Sequence, residues 1–173
     1  MVNVAPDGRQ AYTANVFSNS ITKVDVESGT VIRHIKVLER PEGMVFSPDG
    51  ALIYVVNRES YAVSIIDRHA GKQIDTIETG NGPVRVVITP DGQRLAIPLF
   101  HSAAMQIVNT QSRTVTHTID VGPHPAGTAI SPNGELVFIS CEDENLVYVI
   151  SMQTTKVIRT IKTGPGCDAM VCL

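Results

Sequence analysis

Tryptophan is absent from the 173 residues, aromatic side chains reach only 5%, and leucine appears just 7 times. Branched residues fill the gap: 22 Val, 17 Ile and 15 Thr stand against 12 Ala. Such side chains are stiff at χ1 and suit strands better than helices, so the chain reads as all-β. A basic excess is also missing. The formal net charge is −3, which leaves no global positive surface for nucleic acid, and no nucleic-acid partner is expected. No apolar run approaches the ~20 residues of a membrane helix, so no membrane span is expected. Met1-Val2-Asn3-Val4 has no basic region followed by an apolar stretch, and no signal peptide is expected from it. Cys141, Cys167 and Cys172 are odd in number and show neither CxxC nor zinc spacing, which argues against a closed disulfide framework. An apolar content of 43% excludes wholesale disorder.

What is present is a repeat. Pro6-Asp7-Gly8, Pro48-Asp49-Gly50, Pro90-Asp91-Gly92 and Pro132-Asn133-Gly134 follow one another at a step of 42 residues. Other columns keep the same phase: Ile21, Val63, Met105 and Val147; Ile35, Ile77, Ile119 and Ile161; Asp25, Asp67, Asn109 and Ser151. Repetition at this period means an array of supersecondary units, a solenoid or a propeller. In the second unit four short strands are predicted at about 43–47, 52–57, 62–67 and 72–79, separated by turn-forming residues. Pro-Asp-Gly joins the first two, because Pro presets φ, Asp bonds the backbone and Gly accepts a positive φ. Third strands such as Val147-Tyr148-Val149-Ile150 are bulky on both faces, as expected of a blade pressed between two neighbours. Fourth strands carry charge, with Lys36, Glu78, Asp120 and Lys162 in one column, which discourages edge-to-edge pairing. Pro98 falls near the end of a second strand, so a bulge or early strand end is expected in the third unit.

The stretches Ser47-Pro48-Asp49-Gly50-Ala51-Leu52-Ile53-Tyr54-Val55-Val56-Asn57 and Val63-Ser64-Ile65-Ile66-Asp67 resemble the YVTN-type β-propeller repeat. Tyr12-Thr13-Ala14-Asn15 is a looser copy, while Leu95-Ala96-Ile97-Pro98 and Val137-Phe138-Ile139-Ser140 keep the framework without the motif. The resemblance implies a β-propeller domain over residues 1–173, built from four-stranded antiparallel blades at about 1–42, 43–84, 85–126 and 127–168, with 169–173 starting a further blade. It also implies a ring of seven or so blades, of which these four are part. A second copy completing the ring as a homodimer, or closure by four blades alone, are the other arrangements. An uncovered blade face of roughly 500 Å² at ~25 cal/mol per Å² forfeits on the order of 10 kcal/mol, and neither terminus shows a polar cap in the sequence. Similar propellers include surface-layer proteins, the haem d1 propeller and lactonase-like enzymes, and export to a periplasmic or extracellular location is implied by resemblance alone.

Strand order places the second-to-third loops and the fourth-to-first links on one rim. That rim collects Arg40, Arg58, Arg85, His101, His124, Glu142, Asp143, Glu144 and Asp168. The arginines are candidates for holding a carboxylate or phosphate, the alternative being solvated loop residues with Arg58 offset by Glu59. Arg85 shares a column with Gly43, Gly127 and Ala169 at the mouth of an inner strand. His101 and His124 are the residues that a metal or, by the resemblance, a haem iron would use, although no HExxH or close His-carboxylate set supports either. No Gly-x-Ser-x-Gly elbow or phosphate loop is present. The expected function is a non-enzymatic scaffold binding a protein partner or a small anionic ligand, with no cofactor. A haem-type redox or lactonase-like propeller and a structural surface-layer module are the alternatives.

Overall fold

The computed structural model describes residues 1–168 and Met170. The expected start of a further blade at 169–173, Cys172 included, lies outside the described residues apart from Met170. Among the described residues sixteen strands form four antiparallel sheets of four. The first blade contains β1 (Val2–Val4), β2 (Gln10–Asn15), β3 (Ser20–Asp25) and β4 (Val31–Lys36). The second contains β5 (Pro41–Phe46), β6 (Leu52–Asn57), β7 (Ala62–Asp67) and β8 (Lys72–Glu78). The third contains β9 (Val87–Ile88), β10 (Arg94–Leu99), β11 (Ala104–Asn109) and β12 (Thr114–Asp120). The fourth contains β13 (Pro125–Ile130), β14 (Leu136–Cys141), β15 (Leu146–Ser151) and β16 (Lys156–Lys162), with a 3-10 helix at Glu142–Glu144. Among the described residues no helix is long and apolar enough to cross a membrane.

The core is divided into three, and each part lies between two blades. Tyr12, Ile21 and Ile35 of the first blade meet Met44, Phe46, Ile53 and Val55 of the second. Tyr54, Val56, Val63 and Ile65 meet Leu95, Ile97 and Leu99 of the third, and Met105 and Ile107 meet Val137, Ile139 and Ile150 of the fourth. Because side chains alternate across a strand, Ile53 and Val55 face backwards while Tyr54 and Val56 face forwards. This is why the inner strands are apolar on both faces. Outer strands β4, β8, β12 and β16 are mostly exposed and share a register shift against the third strand, at Lys23/Val24, Ile65/Ile66, Ile107/Val108 and Val149/Ile150. A bulge repeated at one position twists each outer edge and, with its charges, blunts it.

The Pro-Asp-Gly turns do more than reverse the chain. A Cβ on Gly50 would lie 3.5 Å from the Pro6 ring, one on Gly92 3.1 Å from Pro48 Cδ, and one on Gly134 2.6 Å from Pro90 Cδ. Each glycine therefore seats the proline of the preceding blade. The carboxylates are spent locally: Asp49 accepts from Ser47 Oγ at 2.6 Å and the Ala51 amide at 3.0 Å, and Asp91 from Thr89 Oγ1 and the Gln93 amide. Those bonds hold both carboxyl groups below the ordinary aspartate value. On the same lower rim Arg68 of the second blade donates to Asp7 and Gln10 of the first, and Arg94 of the third to Met152 O of the fourth.

Two expectations need correcting. Pro98 neither bulges nor ends its strand, since β10 pairs with β11 in unbroken register from Arg94 to Leu99. The disturbance falls on its inner partner. Pro98 O accepts from the Val84 amide and the next N–H along, from Phe100, donates to Gly82 O, so the donor that Pro98 lacks faces β9. That strand shrinks to two residues, where its counterparts β5 and β13 have six. The outward side of the first blade is also not bare of polar groups. Asn15 Nδ2 donates to Ser20 and Thr22, Thr13 donates to Asn15, and Thr22 bonds His34 at 2.9 Å. These residues alternate with the inward-facing Tyr12, Ala14 and Ile21, which sequence alone did not translate into a polar face.

Candidate functional site

Two columns of the repeat converge on the upper rim, where the second-to-third hairpins and the fourth-to-first links meet. Glu42, Val84, Ala126 and Asp168 begin the inner segment of successive blades; Arg58, Phe100 and Glu142 follow the second strands. With Arg85 they line one cavity of about 150 Å³. The column of Ile35, Ile77, Ile119 and Ile161 keeps one residue, whereas these two change from acid to aliphatic and from arginine to phenylalanine to glutamate.

Backbone packing explains the convergence. A Cβ on Gly43 would lie 2.8 Å from both Arg85 Cα and Val84 O, so inner segments of adjacent blades touch through backbone. Gly127 makes the same approach to Asp168. Arg85 occupies that column in the third blade with a full side chain, a second reason for the irregular course around β9. Ser140, fully buried, accepts from the Gly127 amide and donates to Asp168 O, both at 2.9 Å, which fixes the acid's backbone at the mouth.

The rim residues form a connected set. Arg58 Nη1 donates to Glu42 at 3.2 Å, its Nη2 lies 3.2 Å from His101 Nε2, and its guanidinium sits 4.8 Å from the Phe100 ring centroid. A guanidinium can only donate, so His101 Nε2 accepts there. His124 stacks on Phe100 at 4.7 Å and bonds Asp143 through Nδ1 at 2.7 Å; His101 meets the same ring edge-on at 5.2 Å. Arg40 is turned to Glu59 at 3.4 Å and Glu42 at 3.6 Å. Glu59 therefore does not offset Arg58. Consecutive residues point to opposite sides of an extended chain, and Glu42 lies across from Arg58 because the Arg58 amide bonds Arg40 O.

Of the three arginines, Arg58 and Arg85 line the cavity and Arg40 stays outside it. Arg85 bonds only Val84 O, at 3.2 Å, and no ion pair joins it to Glu142 or Asp168 among the described residues. Arg40 and His124 share a further column with Gly82 and Gly166; all four have positive φ, at 56° and 47° for the two side-chain-bearing residues. Glycine takes that conformation freely, so the blades holding arginine and histidine there retain backbone strain to keep those side chains on the rim. Phe100 and Glu42 are the site residues that reading the chain missed.

Nearby acids and thiols divide into used and shielded groups. Glu144 accepts from the Tyr148 hydroxyl at 2.7 Å, and that bond, with burial, pushes the phenol up to about 12. Burial pushes the Cys141 thiol from 9.0 up to about 12, and its Sγ donates to Gly122 O. The folded chain keeps that proton when the unfolded chain sheds it above about pH 9, so Cys141 removes stability as pH climbs from about 9 toward 12. Among the described residues no group of three His, Cys, Asp or Glu is placed to hold a metal ion.

A solved structure titled Kuenenia stuttgartiensis Hydrazine Synthase is similar to this chain, with a TM-score of 0.87 and 26% identity. The likeness covers 92% of this chain and 47% of that one, so the chain spans about half the length of that relative. No curated protein matches the sequence. The family model described as YNCE-like beta-propeller matches residues 1–173, and with four radial blades of one repeat and an axial mouth the chain belongs to the YNCE-like β-propeller family.

Proposed function

We propose that the protein is a non-catalytic binding module whose upper rim holds a charged small solute, or the charged group of a partner protein, in the axial cavity. The observation that carries this reading is the cavity itself, where the links and loops of successive blades bring Glu42, Arg58, Arg85, Phe100, Glu142 and Asp168 to one wall. An anion clamp of three arginines is not the form it takes, because Arg40 and Arg58 are already paired with Glu42 and Glu59. Phe17, in the column of Glu59, His101 and Asp143, is 99% exposed and adds an aromatic contact for a partner on the same rim.

The reading includes no resident haem. Neither His101 nor His124 lines the cavity, and its volume of about 150 Å³ is well below the ~300–1,000 Å³ typical of pockets for larger ligands. A catalytic reading draws on one observation, the His124–Asp143 pair, which leaves Nε2 of the ring unused. The relative titled hydrazine synthase continues for about as long again, so its activity is not carried across.

Amide chemical shifts of the full chain test the proposal during titration with acetate, phosphate and methylamine. At least one solute should move the amides of Arg58, Arg85, Phe100 and Glu142 together. Shifts confined to the lower rim around Arg94 and Met152, or none, would contradict it.

A further inference from the structure

We infer that the cavity is built for a small zwitterion, an ammonium and a carboxylate on one short carbon skeleton, such as a free amino acid. This rests on the rim-binding reading and names its ligand class. Removing the groups already satisfied leaves a short list. Glu42 is held by Arg58 and Arg40, and both Nη atoms of Arg58 are engaged. Three charges on the wall stay without a charged partner among the described residues: Arg85, Glu142 and Asp168.

Opposite charges that share a small cavity without touching are bridged by a ligand that carries both. A carboxylate satisfies Arg85, whose guanidinium bonds only the Val84 carbonyl among the described residues. The ammonium satisfies Glu142 and Asp168. Val84, Ala126 and the edge of Phe100 supply apolar wall for the carbon between them. Size agrees: a cavity of about 150 Å³ lies below the ~300–1,000 Å³ of pockets for drug-sized ligands and suits a smaller solute. A simple anion leaves Glu142 and Asp168 without a counter-charge, and a simple amine leaves Arg85 unpaired. Either outcome forfeits one charge-assisted contact with the wall, so each half-ligand binds more weakly than the whole.

The test compares alanine with its two halves, propionate and ethylamine, by amide-shift titration of the full chain at low ionic strength. Alanine should bind about tenfold or more tightly than either half, the loss expected when one charged partner is missing. Arg85→Gln should reduce alanine to the level of ethylamine, and Glu142→Gln should bring it toward propionate. Unchanged melting temperatures in both variants show that neither result comes from misfolding. If propionate or ethylamine shifts the rim amides as strongly as alanine does, the zwitterion assignment is overturned while the rim site stands. If alanine, propionate, ethylamine and phosphate all leave those amides unmoved, both the assignment and the rim reading fall.

Discussion

Ile97→Ala should cost about 2–5 kcal/mol, the range for deleting a large aliphatic side chain from a packed core. At about 2–4 °C per kcal/mol for a chain of this size, the melting temperature should fall by roughly 4–20 °C. Ile97 sits mid-strand in β10 with no exposed surface, in the core that the second and third blades share with Tyr54, Val56, Val63 and Ile65. Both walls of that core are hydrogen-bonded four-stranded sheets, so neither can sag into the space left behind without distorting its own ladder. The upper part of the range is therefore expected. Ile74→Ala, at a position 44% exposed on β8, serves as the contrast and should move the melting temperature by little. Equal losses for the two variants, read by thermal unfolding, would contradict the placement of the core between blades.

Gly134→Ala should be nearly as damaging, for two reasons that can be separated. The residue has φ of 73°, where a side chain costs about 1–2 kcal/mol. Its new Cβ would also lie 2.6 Å from Pro90 Cδ in the turn of the preceding blade, and overpacking of that kind costs about 1–3 kcal/mol. Gly8 has nearly the same φ, 71°, but nothing within 4 Å of a built Cβ. Gly8→Ala should therefore show the backbone cost alone. The difference between the two, measured by urea unfolding, isolates the blade-to-blade seat. Equal destabilisation would mean that the Pro-Asp-Gly series is a turn motif and nothing more.

The fold was legible because its cause is periodic. Four in-phase turns, inner strands apolar on both faces and charged outer strands point to blade, strand order and edge without any knowledge of which residues touch. The proline-on-glycine contact was not legible, since it joins residues 44 apart and looks like turn chemistry within each unit. Pro98 was misplaced for a related reason. Its missing donor is visible in the sequence, but which neighbouring strand that donor would face depends on register. At the rim, listing charged loop residues gathered Arg58, Arg85, Glu142 and Asp168, which line the cavity, together with Arg40, His101, His124 and Asp143, which do not. Charge marks exposure, and only geometry separates an arginine paired to Glu42 from one facing open space. Phe100 carries no charge and so stood outside that gathering, yet its ring carries Arg58 and His124 on the rim.

Native-state hydrogen exchange on Ile97→Ala is the most direct measurement of the claim that blades are stable only through shared cores. Amides of β6 and β7 in the second blade should lose protection alongside those of β10 and β11 in the third, by similar free energies, because one core holds both. Loss confined to β10 and β11, with the second blade untouched, would show that each sheet stands by itself and would contradict the account.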